Sequence, residues 1–126
     1  MTDSSFSTEI ERLLAATITA FQPQIVDFCR RLIQTPSVNG EHDEVHLTNV
    51  IAAEARKLGL HVEIVGANPN RPNVIVSTGE TGETGLLLLG HLDTVPAGDP
   101  AQWSHPPFGG EIVDGRIYGR AAVDTK

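Results

Sequence analysis

Several things are scarce in this sequence, and each scarcity excludes something. One cysteine, Cys29, stands among 126 residues, so no intrachain disulfide can form. Basic residues are few: nine Lys and Arg face 16 Asp and Glu, for a formal net charge of -7 and a pI near 5.0. With no basic stripe to neutralise phosphates, neither nucleic acid nor an anionic membrane surface is expected as the main partner. Long apolar runs are missing as well. The longest strongly apolar run is the four leucines 86–89, far short of the roughly 20 residues of a membrane span. The opening "MTDSSFSTEIE" places acidic residues where a signal peptide carries a basic region, and no apolar segment follows. A soluble, cytoplasmic protein is the expectation. "GETGETG" lacks the Gly-Lys-Ser/Thr of a phosphate loop, and its glutamates would repel phosphate. No internal repeat is present.

What remains is ordinary for one globular domain: 40% hydrophobic and 20% charged residues in a chain too short for two comfortable domains. From Thr8 to Leu32, Ile10, Leu13, Leu14, Ile18, Phe21, Ile25, Phe28 and Leu32 recur at helical spacing. Pro23 is expected to kink this helix or to begin a second one. Cys29 falls on its apolar side and reads as a buried structural thiol. A second helix is predicted from Asp43 to Leu58, stopped by Gly59. The period then changes. "HVEIV" (61–65) alternates like a half-exposed strand. "NVIVST" (73–78) and "LLLLGH" (86–91) are almost continuously apolar, which suits central strands covered on both faces. "EIVDGRIYG" predicts a hairpin turning at Asp114-Gly115. The fold class is therefore α/β.

"LLLLGHLDTVP" carries the first candidate chemistry. In an extended chain His91 and Asp93, two residues apart, point to the same side. They follow the apolar run, where open α/β sheets place their ligands. A neutral imidazole is a common zinc ligand, and a nearby carboxylate can accept its other N–H and fix the tautomer. A buried His–Asp pair that merely satisfies itself explains the same spacing. Asp124, in "YGRAAVDTK", follows small residues that allow close backbone approach, yet a lone aspartate is most often simply solvated. "HDEVH" spaces His42 and His46 as on one helix face, but its glutamate is displaced by one residue from the zincin pattern. A solvated first helical turn is the better reading, with Glu41, Asp43 and Glu44 favourable at the N-terminus. Trp103 and Phe108 read as a hydrophobic plug under a loop, and His105 as a surface residue.

Taken together, "GHLDTVPAGDPAQWSHPPFGGEIVDGRIYGRAAVDTK" resembles the N-terminal catalytic segment of the M20 metallopeptidase family. That family includes acetylornithine deacetylases, succinyl-diaminopimelate desuccinylases, carboxypeptidases and aminoacylases. The resemblance is close over residues 86–126, through the H-x-D-x-V-P motif, the W-x-x-x-P-F loop and the D-G-x-I-Y-G-R hairpin in that order. A looser match through "TPSVNGEHDE" and "LGLHVEIV" extends it over most of the chain. It implies that His91 ligates one metal of a dinuclear zinc (or cobalt) site, that Asp93 serves catalysis by orienting His91, and that Asp124 bridges both metals. It also implies a cis peptide bond at Asp124–Thr125. Two departures are small: Ala121 and Thr125 stand where members carry glycine and methionine.

The resemblance further implies an incomplete zinc-exopeptidase-like catalytic domain, with helices on a mixed sheet, of which residues 1–126 are the N-terminal segment. The family's general base, its remaining ligands and its lid or dimerisation domain lie beyond Lys126. The implied reaction is metal-dependent hydrolysis of an amide in an N-acyl amino acid or peptide. Its partners would be a small-molecule or peptide substrate, with a homodimer open to the complete protein. Residues 1–126 alone are expected to bind metal weakly and to hydrolyse nothing. Two other readings stay open: a catalytically dead remnant acting as an interaction module, and an α/β domain that binds a small molecule with His91 and Asp93 merely structural.

Overall fold

A computed structural model describes residues 4–79, 85–124 and 126. Helix α1 (Ser4–Ile33) is followed by helix α2 (Val45–Lys57). Strands β1 (His61–Val65) and β2 (Asn73–Ser77) pair antiparallel, from His61 opposite Ser77 to Val65 opposite Asn73. A short 3-10 turn at Pro100–Gln102 precedes a second antiparallel pair, β3 (Glu111–Val113) with β4 (Arg116–Tyr118). The one parallel pairing among the described residues is an isolated bridge between Val38 and Thr94. Helices with small sheets of this kind are consistent with an incomplete α/β domain. "ETGET" (80–84) lies outside the described residues.

Helix α1 runs unbroken through Pro23, so no second helix begins there. Proline removes one amide donor and costs roughly 3 kcal/mol inside a helix. Here Pro23 and Thr19, whose carbonyl loses that donor, are both exposed, so no polar group is stranded in a core. The apolar stripe of α1 is covered only toward its C-terminal end. Ile33 is buried and Phe28, Cys29 and Leu32 are half-buried, whereas Leu13, Leu14, Ile18 and Ile25 are exposed. Burial nevertheless raises the pKa of the Cys29 thiol, as suits an unreactive side chain.

Helix α2 buries Leu47, Thr48, Ala52 and Ala55 and packs on β1, β2 and α1. Arg31 reaches from α1 to Glu54 of α2, 2.7 Å apart. Gly59 ends α2 with φ of +77°. The Gly59 amide donates to the Arg56 carbonyl at 2.9 Å and the Leu60 amide to Ala55 at 3.0 Å, the two bonds of a glycine-terminated helix. At the other end the helix starts at Val45, two residues later than its periodicity suggests, because the Asp43 carboxylate accepts from the Val45 amide at 3.0 Å. His42 therefore precedes the helix, and His42 and His46, both exposed, share no helix face.

The leucine run departs most from its expected form. Residues 86–91 form no strand, and Leu86, Leu87, Leu88 and Leu89 are 77, 77, 83 and 93% exposed. A strand needs a neighbour for its amides and carbonyls as well as cover for its side chains. No described residue pairs with this run. Nor is β2 covered on both faces: Val74 and Ser77 are half-buried, while Ile75 and Val76 are exposed. No helix among the described residues is long and apolar enough to cross a membrane.

The β3–β4 hairpin forms as its turn chemistry dictates. Asp114 and Gly115 both take positive φ, 50° and 73°, as a two-residue primed turn requires. Beyond it the chain folds onto the end of α1 at Gly119. A Cβ there would overlap the Ile33 Cγ2 methyl and lie 3.2 Å from the Pro107 carbonyl. Gly119→Ala is expected to lower stability by about 1–3 kcal/mol, read as a reduced urea midpoint of the helical circular dichroism signal.

Candidate metal centre

The site is built where the exit from α1 meets the segment after the leucine run. Ser37, Val38 and Thr94 are buried. The Thr94 amide donates to the Ser37 carbonyl at 2.9 Å, and the Asn39 amide to the Thr94 carbonyl at 2.9 Å. Ser37 Oγ donates to the Leu92 carbonyl at 2.6 Å. These bonds fix the backbone on either side of Asp93 and present His91 just before it.

Asp124 arrives from the other direction. After β4 the Arg120 amide donates to the Pro107 carbonyl at 2.6 Å, and two short turns follow. Ala121 takes φ of +64°, a left-handed conformation that costs an L-residue roughly 1–2 kcal/mol. That strain falls at the position where the resemblance drawn from the sequence expects glycine. The turns bring Asp124 Oδ1 to 3.3 Å from His91 Nε2, across 33 residues of sequence. The Asp124–Thr125 bond involves Thr125, which lies outside the described residues.

His91 is held at both ring nitrogens. Nδ1 donates to the Asp93 backbone carbonyl at 2.8 Å, and the Asp93 carboxylate lies at 3.3 Å from the same nitrogen. The carbonyl is thus the closer partner, where the sequence suggested the carboxylate. The contact with Asp124, and then the Asp93 carbonyl, raise the His91 pKa above its ordinary value of 6.5. Two hydrogen-bond acceptors favour the imidazolium, which donates from both nitrogens.

The 3.3 Å between Nε2 and Oδ1 suits a shared cation. Zinc bonds of about 2.0–2.2 Å to nitrogen and oxygen place two donors on adjacent tetrahedral corners about 3.3–3.4 Å apart. With Nδ1–H directed to a carbonyl, the neutral ring turns its Nε2 lone pair toward Asp124, the usual arrangement of a metal-ligating histidine. His91 and Asp124 fit a metal as two of its donors. A complete shell needs more, since no group of three or more His, Cys, Asp or Glu among the described residues is placed to hold a metal ion.

The pair opens onto a hollow of about 300 Å³ walled by Thr94, Val95 and the turn 119–124. Thr94 Oγ1 and Arg120 Nε, both in this wall, are buried without a hydrogen-bond partner among the described residues. Behind it, the Arg120 guanidinium stacks 4.9 Å over Trp103, and the Trp103 indole N–H donates to the Ala97 carbonyl at 2.9 Å. Trp103 thus ties the loop to the site. His105 is half-buried, not a surface residue: its Nδ1 lies 2.7 Å from Glu111 Oε2 and its ring 4.1 Å from that of Tyr118.

Sequence reasoning missed Ser37 and Lys126. Lys126 Nζ donates to Ser37 Oγ at 2.7 Å and to the Leu92 carbonyl at 3.4 Å. Burial pushes its pKa down to about 8, against the opposing pull of Glu44 and Asp93. The available signal was a lysine two residues after Asp124. His42 and His46 take no part in this site.

Residues 87–126 match the model of Peptidase family M20/M25/M40. The chain is also 37% identical over 105 residues to a succinyl-diaminopimelate desuccinylase of Methylocella silvestris, an alignment covering 80% of this chain and 26% of that protein. The chain thus spans about a quarter of the length of this curated relative.

The His91–Asp124 contact has a pH signature. Because the folded pKa of His91 is raised, its stabilising effect is fully present below the unfolded value and is lost as pH rises through the folded one. Asp124→Asn removes the larger cause, so the His91 pKa is expected to fall toward 6.5. Titration of the His91 ring protons by NMR checks this; an unmoved pKa contradicts the contact.

Proposed function

We propose, from the premise that the chain belongs to peptidase family M20, that it supplies the N-terminal part of the catalytic domain of a metal-dependent amidohydrolase. The observation that carries this is the approach of His91 Nε2 and Asp124 Oδ1 to 3.3 Å, with the second ring nitrogen bound to the Asp93 carbonyl. The substrate class proposed is an N-acyl amino acid or peptide, and the desuccinylase relative favours an N-succinyl amide.

In this reading His91 and Asp124 are the chain's metal ligands, for zinc or cobalt. When bound, the metal supplies the Lewis acidity that polarises an amide carbonyl and acidifies water. Asp93 serves catalysis without touching the metal: its carbonyl holds the Nδ1 proton, keeping Nε2 free, and its carboxylate adds negative charge beside the ring. Asp124, with its side chain 84% exposed, would have its second carboxylate oxygen free to hold a further cation. The hollow beside the pair seats the scissile amide.

Two protein donors are fewer than the three of an ordinary catalytic zinc site. A pair of cations, which repel each other, needs several anionic oxygens more. The remaining donors and the general base are assigned to the portion of the complete enzyme that this chain does not cover. The same portion would cover Leu86–Leu89 and the outer face of α1. This reading takes such an enzyme to be cytoplasmic, with a homodimer open to the complete protein.

Calorimetric zinc titration near pH 7.5 is expected to show weak binding of one zinc per chain, reduced at least tenfold by His91→Ala and by Asp124→Ala. Affinity should decline as pH falls, beginning above the ordinary histidine value because the His91 pKa is raised. The chain alone should hydrolyse no N-succinyl amino acid. Equal zinc affinity in the wild type and His91→Ala contradicts the assignment.

A further inference from the structure

We propose that Lys126 is a positioning residue: its ammonium ties the turn that carries Asp124 to the peptide between His91 and Asp93, and so sets the spacing of the two ligands. As part of a metal site this rests on the function proposed above; as a tie between two segments it stands on the contacts alone.

The need for a tie follows from exposure. The His91 and Asp124 side chains are 51% and 84% exposed, so packing does not hold them together. Their separation is set by the backbones that carry them. One of those backbones is anchored by the bonds of Thr94 and Ser37, which leave little freedom around Asp93. The other is held at Gly119 and Arg120, and past them it is crossed to the first segment by Lys126.

Lys126 closes the second segment in two ways. Its amide donates to the Ala121 carbonyl at 2.9 Å, so Asp124 lies in sequence between two residues bonded to each other. Its Nζ crosses to the first segment, donating to Ser37 Oγ at 2.7 Å and to the Leu92 carbonyl at 3.4 Å. Ser37 Oγ donates to that same carbonyl at 2.6 Å, so the three groups form a closed triangle. The Leu92 carbonyl belongs to the residue between the two members of the H-x-D motif. The tie therefore joins the middle of one site motif to the residue two beyond Asp124. An ammonium suits this place because it has three donors and no acceptor, and its charge strengthens each bond.

Lys126→Met keeps the length of the stem and removes the donors. Ser37→Ala removes the acceptor at the other end and serves as a second, independent variant. The measurement needs no metal: the shift of the His91 ring-nitrogen resonances caused by Asp124→Asn, recorded in the wild-type, Lys126→Met and Ser37→Ala backgrounds of the full chain. Helical circular dichroism confirms that each variant is folded. The shift is expected in the wild type and to fall by at least half in both variants. A shift of equal size in all three backgrounds overturns the proposal, as does no shift in the wild type. Cobalt titration of the same proteins separates the two claims. A tenfold weaker cobalt affinity in Lys126→Met supports both. If the wild type binds no cobalt but the NMR coupling depends on Lys126, the metal reading fails and the positioning role stands.

Discussion

The pairing of residues 37–39 with 92–94 is the constraint on which the site depends. It is short: one parallel bridge, two backbone bonds of 2.9 Å and one side-chain bond of 2.6 Å. It is also among the most buried parts of the chain, with Ser37 and Val38 1% exposed and Thr94 5%. Buried backbone polar groups must be paired, and here each segment is the other's partner. Helix α1 delivers Ser37 to this place, and Ile33, at the end of α1, also receives Gly119 and the turn that carries Asp124. One small packed junction therefore fixes both halves of the His91–Asp124 pair.

Outside that junction the chain is covered unevenly. Among the described residues the core consists of Ile33 at the end of α1, Val38 just beyond it, and Leu47, Ala52 and Ala55 on the buried face of α2. Leu86–Leu89, the outer stripe of α1 and much of β2 remain exposed. The site has the same character: a histidine and a carboxylate at metal-ligand spacing, with too few donors for a complete shell. Exposed apolar surface of this extent is uncommon on a soluble monomer and marks an interaction surface. Missing cover and missing donors are consistent with a chain that spans 26% of its desuccinylase relative.

What could be read from the sequence was what is local. Helical periodicity located both helices, Gly59 located the end of α2, and Asp114-Gly115 located the hairpin turn. Each is decided by residues within a few positions of one another. The leucine run was misread because a strand is a relation between segments: four leucines state a preference for burial and cannot supply the neighbour that satisfies it. The helix continues through Pro23, where a second one could have begun, because the cost of a proline depends on whether the affected carbonyl is buried, and Thr19 is exposed. Motif order drew attention to His91, Asp93 and Asp124. The geometry that joins them, and the parts of Ser37 and Lys126, depend on contacts spanning 33 to 89 residues that no local pattern encodes.

The central claim is that the junction, rather than the leucine run, holds the H-x-D segment in place. Amide hydrogen exchange on the chain tests it directly, because exchange reports opening bond by bond. The account predicts that the Thr94 and Asn39 amides, each bonded across the junction at 2.9 Å, exchange far more slowly than those of Leu86–Leu89. Thr94 exchanging as fast as the leucines, or the leucines protected as well as Thr94, would contradict it.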